Sequence, residues 1–381
     1  MKIKLKSNNK FFPVNIPFIS KKNVTDVSKS ISSGWISSEG PDVKFFEKKL
    51  SKYIGRKYGI AVSSGSAALE ISVKSLNLKS ESEIIIPNFS IISTALAVIK
   101  NNHKPVLIDA HPRNWNMKIN DIEKKITKKT KCIIATHIYG YPLEMDKIER
   151  ICKKHNLFLI EDAAEMLGHK YKNKFCGSFG DISIFSFYPN KHITTGEGGM
   201  ILTNKKKFEL KCKDLRNLCF GTGKNRFQHS DVGWNYRLTN IQASLGLSQL
   251  ENLEKNILRK KKIGSLYYQY LKNIDNIYIQ PPKDKNLENI YWVFGIVLDK
   301  KINKSKITGE LLKRGVQTRP FFYPMHKQSI LKKFKFKKQN FINSDHLSSK
   351  GFYLPSGIGL KNKDIYQICE IFKKIIKKFS K

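Results

Sequence analysis

Between about residues 57 and 205, short apolar runs alternate with stretches whose apolar residues recur every three to four positions. The runs YGIAVSS (58–64), EIIIP (83–87), PVLIDA (105–110), KCIIATH (131–137), LFLIEDA (157–163), DISIFSF (181–187) and GGMILTN (198–204) read as strands. Helices are predicted from GSAALEISVKSL, from about Ser90 to Lys100, and where Met145, Ile148, Ile151 and Cys152 share one helical face. Strands alternating with helices predict an α/β fold, an open and mostly parallel sheet with helices on both faces. Ligands of such sheets sit beyond the carboxyl ends of the strands.

After about residue 240 the texture changes. IQASLGLSQLENLEKNILRKKKIGSLYYQYL (241–271) predicts one long helical stretch, PPKDKN (281–286) a loop, IYWVFGIVL (290–298) a strand and KSKITGELLKRGV (304–316) a helix. KKFKFKK (332–338) reads as a solvated edge or loop. The expected organisation is a large domain over 1–245, including the N-terminal segment, and a smaller C-terminal α/β domain over 246–381.

Composition refines this picture. With 381 residues and 40% hydrophobic content, the chain can bury a large core. Lys plus Arg number 70 against 31 Asp plus Glu, a net charge of +39, and only nine of the basic residues are arginine. Directed nucleic-acid contacts favour the arginine fork. Lysine spread along the chain instead suggests biased composition on solvated faces, although a nucleic-acid-binding or regulatory protein is the alternative from a different class. A cationic surface still draws in anionic small molecules. The six cysteines form no CxxC pair, so no metal site is expected and a reducing cytoplasm suits them. Pro13, Asn15 and Pro17 interrupt the N-terminal apolar stretch, which makes a poor signal peptide, and no run of about 18 apolar residues predicts a membrane span.

Three segments carry candidate chemistry. In GDISIFSFYPNKHITTGEGGMILTN (180–204) a strand ends at Ser186, and Lys191 follows in a Thr- and Gly-rich loop. A lysine there either acts as a nucleophile, if its surroundings lower its pKa, or is one more solvated charge. In LFLIEDAAEMLGHKY (157–171), Glu161 and Asp162 close an apolar strand. A carboxylate in that place either pairs with a cationic ring nitrogen or caps a helix. In AVSSGSAALEI (61–71) small residues at a strand-to-helix turn offer N–H groups, with Ser64 and Ser66 hydroxyls, as a seat for phosphate.

Together these segments resemble the DegT/DnrJ/EryC1/StrS family of sugar aminotransferases. The resemblance starts at GWISSEGPDVKFFEKKLSKYIG (34–55), includes DVGWNYRLTNIQAS (231–244) and ends with TRPFFYPMHKQ (318–328). It implies an aspartate-aminotransferase-like fold, pyridoxal phosphate fold type I, with pyridoxal 5'-phosphate as cofactor, passing through its pyridoxamine form. It makes Lys191 the lysine that carries the cofactor and Asp162 the partner of the pyridine nitrogen. Gly65, Ser66 and Ser186 match phosphate contacts. Asn235 matches an asparagine that reaches the phosphate from a neighbouring subunit, which implies a homodimer with shared sites. Relatives with histidine in place of the lysine are dehydratases, and this chain has Lys191 followed by His192.

Two positions depart from the commoner pattern. Glu165 stands where many relatives have glutamine, and Ile91 where they often have an aromatic ring over the cofactor. Glu165 together with NKHITTGEGG and RPFFYPMH resembles the branch that aminates GDP-4-keto-6-deoxymannose. L-Glutamate is the implied amino donor and a GDP-linked keto sugar the implied acceptor; a UDP- or dTDP-linked sugar, or amination at C3, is the rival within the class. Trp35, Arg319, Tyr323 and His326 are candidate substrate contacts, or else parts of packed aromatic loops.

Overall fold

Seven of the apolar runs assemble side by side. In the computed structural model, which describes residues 10–284, 287–336 and 339–379, these are β1 (Tyr58–Val62), β2 (Glu83–Pro87), β3 (Lys104–Ile108), β4 (Thr130–Thr136) and β5 (Phe158–Asp162), then, after the small hairpin β6 (Lys170–Tyr171) and β7 (Lys174–Phe175), β8 (Ile182–Ser186) and β9 (Gly199–Thr203). Their order is β1-β9-β8-β5-β4-β2-β3. The strands from β8 to β3 pair in parallel, and β9 alone runs antiparallel, to β1 and to β8.

The helices are α1 (Lys21–Ser32), α2 (Pro41–Ile54), α3 (Gly65–Ser75), α4 (Ser93–Lys100), α5 (Met145–Lys154), α6 (Lys206–Arg216) and α7 (Asn240–Leu250). Side chains alternate across a strand, so each strand supplies both faces. Ile60, Ile84, Ile134, Ile160 and Ile184 pack under α3, α4 and α6. Ala61, Ile85, Ile133, Leu159 and Phe185 pack under α2, α5 and α7. Burial on both faces explains why these strands read as unbroken apolar runs.

A second, antiparallel sheet has the order β10-β13-β15-β14, from β10 (Ile277–Tyr278), β13 (Phe294–Leu298), β14 (Arg319–Pro320) and β15 (Gly351–Leu354); β11 (Lys283–Asp284) and β12 (Leu287–Glu288) pair separately, within and after the predicted 281–286 loop, of which Lys285 and Asn286 lie outside the described residues. Its core includes residues of α8 (Leu253–Leu271), α9 (Lys304–Lys313) and α11 (Asn362–Phe379); α10 (Ile342–Lys350) precedes β15. The N-terminal segment packs into the core of this sheet, where Phe12 also makes an isolated bridge to Val316. No helix among the described residues is long and apolar enough to cross a membrane.

The C-terminal elements correct several expectations. The stretch 241–271 is two helices, with a break at Glu251 and Asn252. Its apolar residues serve two cores: Ala243, Leu253 and Ile257 join the large one, Ile263, Tyr267 and Leu271 the small one. The predicted strand 290–298 begins only at Phe294, since Tyr291 has φ 55°. The helix from Lys304 ends at Lys313, ahead of Gly315 at φ 81°. Within 332–338, Lys337 and Lys338 lie outside the described residues; Lys332, Lys333 and Lys335 are exposed as expected, while Phe336 is buried and anchors the segment.

Candidate active site

Strand register sets the floor of the site. Thr136 and Asp162, at the carboxyl ends of β4 and β5, stand abreast of Ile184 in the middle of β8, and Ser186 closes β8 two residues further along. All four point to one face and line a cavity of about 390 Å³. The alternation also separates the two acids that end β5. Asp162 faces the cavity; Glu161 faces the opposite core, where it accepts from Gly177 N–H at 2.7 Å, Phe179 N–H at 2.8 Å and His137 Nε2 at 2.9 Å. Arg56 donates to the carbonyls of Gly177, Phe179 and Gly180, so opposite charges clamp the loop that leads into β8.

Asp162 is fully buried. Its Oδ1 accepts the Ala164 N–H at 3.1 Å and its Oδ2 lies 3.4 Å from the Thr136 hydroxyl. The first contact is a local turn and no helix follows, so Asp162 is not a helix cap. Burial raises its carboxyl above the ordinary aspartate range, against the pull of the Ala164 N–H and of Lys191.

Lys191 enters from the turn after β8, where its N–H bonds the Tyr188 carbonyl at 2.9 Å. Its Nζ lies 3.8 Å from Glu165 Oε1 and 3.9 Å from the centroid of the Trp292 ring. Glu165 is fixed by the Tyr139 N–H, 2.6 Å from Oε2. Burial pushes the two groups in opposite directions: the Glu165 carboxyl up to about 8, and the Lys191 ammonium below the usual lysine range. Both shifts favour neutral partners, and a neutral amine is the nucleophilic form.

At another end of the cavity α3 begins. Ser64 caps it by accepting the Ala67 N–H at 3.1 Å, leaving the amides of Gly65 and Ser66 at the mouth. The Ser66 hydroxyl meets that of Ser93, the first residue of α4, at 2.7 Å. A Cβ on Gly65 would lie 2.8 Å from Ser186 Cβ, so only glycine lets the helix end and the serine converge.

Pyridoxal phosphate fits these residues. The glycine cradle and serine hydroxyls suit its phosphate. Asp162 suits its ring nitrogen. Ser90 Oγ and Asn190 Oδ1, both in the lining, are buried without a partner, and a polar group deprived of water calls for one.

The cavity brings together Gly65, Ser66, Ile91, Asp162, Glu165, Ser186, Lys191 and Arg319. Asn235, Trp35, Tyr323 and His326 are not in its lining. Asn235 Oδ1 accepts from Arg237 Nε at 3.0 Å. Trp35 and Tyr323 are largely exposed. His326 lies between Asn88 and Asp345, with Nδ1 3.0 Å from Asn88 Nδ2 and its ring stacked on Phe341. Sequence reasoning missed Trp292, just before β13, Phe322, just after β14, and Tyr353 of β15, all of which line the site. It also missed Thr136, although that residue closes an apolar strand as Asp162 does.

Two other features are not part of this chemistry. His137, Glu161 and Cys176 offer ligand atoms within 4.8 Å of one another, but the Leu143 N–H occupies His137 Nδ1 at 2.9 Å, which leaves Nε2 as a donor to Glu161 and no lone pair for a metal. A larger cavity of about 450 Å³ lies between α2 and α6. Its polar wall is spanned by the pair Arg216–Glu47 at 2.6 Å, and it lacks the convergent nucleophile and acids found at Lys191.

Comparison with known proteins agrees with this geometry. The profile of the DegT/DnrJ/EryC1/StrS aminotransferase family matches residues 17–373. The GDP-perosamine synthase of Escherichia coli O157:H7 is 36% identical over 361 residues, 95% of this chain and 97% of that protein. The GDP-perosamine synthase of Vibrio cholerae is 33% identical, over 95% and 98%. Among solved structures, a Helicobacter pylori aminotransferase of pseudoaminic acid biosynthesis superposes with a TM-score of 0.92 at 26% identity, covering 97% of this chain and all of the other.

Proposed function

Because the chain belongs to the DegT/DnrJ/EryC1/StrS aminotransferase family and is a pyridoxal-phosphate-dependent sugar aminotransferase, we propose that it transfers the amino group of L-glutamate to GDP-4-keto-6-deoxy-D-mannose, giving GDP-perosamine. The observation that carries this reading is the Lys191 amine, buried between Glu165 and Trp292 in the cavity that Asp162 also lines. The choice of nucleotide draws on the two GDP-perosamine synthases, similar over nearly the whole chain.

In this reading each residue has a task. The α3 amides and the hydroxyls of Ser66 and Ser186 hold the phosphate. Asp162 keeps the ring nitrogen protonated, and the cationic partner returns its own carboxyl to the ionised form. Bound pyridoxal phosphate supplies the electron sink for the pair left when a proton leaves the donor's α-carbon. Lys191 Nζ takes up that proton and later returns it, as general base and then general acid. Arg319 is the cationic group for an anionic substrate at the mouth, and Tyr323 and His326 act beyond it.

Asn235 serves the site of a second copy in a homodimer. Its absence from the lining of its own cavity supports this, as do exposed apolar residues on α1 and after it, Val24, Ile31, Trp35 and Ile36. Light scattering should give twice the chain mass.

The deciding experiment offers purified enzyme L-glutamate with the 4-keto-6-deoxy sugars of GDP, UDP and dTDP and analyses products by mass. An aminated GDP-sugar is expected. Amination of only the UDP or dTDP sugar moves the substrate, and a 3-deoxy product without nitrogen overturns the transaminase reading.

A further inference from the structure

Trp292 is almost fully buried and arrives by a reversal of the backbone, with Tyr291 at φ 55°. Two glycines leave room for it. A Cβ on Gly140 would lie 2.5 Å from the Trp292 nitrogen, and one on Gly264 2.1 Å from Tyr291 Cγ. The indole is then held by two contacts: its Nε1–H donates to the Asn190 carbonyl at 2.9 Å, and its ring lies against Tyr139 at 5.9 Å and 26°. The backbone carbonyl of Trp292 accepts from Lys260 Nζ at 2.7 Å, which fixes the main chain that carries the ring.

Lys260, on α8, is itself buried, and its other hydrogen bond goes to the Ser356 carbonyl at 2.6 Å. Two carbonyl acceptors match the two N–H bonds of a neutral amine, and burial pushes this amine down to about 7. A buried lysine without a carboxylate partner is uncommon and costly. Here it ties α8, the turn at residue 292 and the chain after β15 together, one side chain away from Lys191.

We infer that Trp292 is a further catalytic residue, whose ring face steadies the Lys191 ammonium during the interval in which Nζ carries the proton, and that Lys260 is the positioning residue that keeps the ring there. This rests on the role proposed for Lys191. In that role Nζ receives a proton from the donor's α-carbon and then gives it up, so for an interval it is a cation in a site where burial disfavours charge. An indole face stabilises a desolvated cation and accepts no proton. The titratable groups around the amine are Asp162, Glu165, Tyr188, His192, Glu197, Arg319 and Tyr353. Of these, Asp162 and Glu165 favour the ammonium, and Glu165, raised to about 8, is a weak anion at neutral pH.

The test uses cofactor-free protein and so needs no turnover. The rate of Lys191 acylation by acetic anhydride is followed against pH by peptide mass spectrometry, which yields the midpoint of Lys191 titration. Trp292→Leu should lower that midpoint by about one pH unit, the scale of a buried cation–π contact. An unchanged or raised midpoint overturns the inference, because water entering the emptied space acts in the upward direction. Tryptophan replaced biosynthetically by its fluorinated analogues keeps the shape, guards against a misfolded variant, and should lower the midpoint stepwise with each added fluorine. Lys260→Met should also lower it, whereas loss of a nearby positive charge alone would raise it; a midpoint equal to that of the unaltered protein removes Lys260 from the account. Covalent cofactor capture by Lys191→Ala would instead sink the role of Lys191, and is read separately by absorbance.

Discussion

Glu165 Oε1 lies 3.8 Å from Lys191 Nζ; Glu165 is buried and the Lys191 side chain is 11% exposed. At that spacing an ionised pair attracts strongly, yet burial makes each charge expensive. The site thus holds a carboxyl raised to about 8 beside a lysine lowered from its usual range.

The sign of the pH dependence follows. Between the ordinary glutamate value of 4.5 and about 8, the folded chain keeps a proton on Glu165 that the unfolded chain releases. Stability from this group therefore falls as pH rises through that window, by at most ~1.4 kcal/mol per pH unit. Lys191 acts in the opposite sense at higher pH, since the unfolded chain protonates a lysine that the folded one does not. Glu165→Gln should flatten the fall between pH 5 and 8 in urea unfolding of the cofactor-free protein. An unaltered slope would show that Glu165 is ionised throughout.

Asp162→Asn should weaken cofactor retention by about 10- to 100-fold, the loss of one charge-assisted hydrogen bond. Equilibrium dialysis checks this. Retention within twofold of the original would show that Asp162 does not meet the ring nitrogen.

Gly65→Ala places a Cβ 2.8 Å from Ser186 Cβ. Ser186 or the start of α3 must move, at a cost of about 1–3 kcal/mol. We expect a lower melting temperature and weaker phosphate binding together. A variant as stable and as tight as the original would mean that the two elements are not in contact.

Ile91 lines the cavity and is 46% exposed. Ile91→Tyr offers a flat ring to the cofactor and should tighten its binding several-fold, given about 0.5–1.5 kcal/mol for an aromatic stack. Titration of cofactor-free protein measures this, and unchanged affinity would place residue 91 away from the ring face.

Much of this site was legible in the sequence because strand ends are. Asp162 closes an apolar run whose burial needs no partner knowledge, and the turn at Gly65 announces a helix start. Alternation even separates Glu161 from Asp162 once the faces are known. Trp292 was hidden for a physical reason: it sits inside an apolar run that reads as strand, and only the reversal at Tyr291, permitted by Gly140 and Gly264 from distant parts of the chain, turns its ring into the cavity. The break at Asn252 was hidden likewise, since one helical periodicity continues across two cores. Asn235, Trp35, Tyr323 and His326 carry motif resemblance, but a single chain leaves them outside the cavity.

The central claim is that Lys191 carries the cofactor and moves the proton. Absorbance spectra of the cofactor-loaded protein, taken before and after L-glutamate, test it most directly. The account predicts a visible band that glutamate converts to the pyridoxamine form, that GDP-4-keto-6-deoxymannose restores, and that Lys191→Ala lacks. A Lys191→Ala protein with the same band and the same response to glutamate would contradict it.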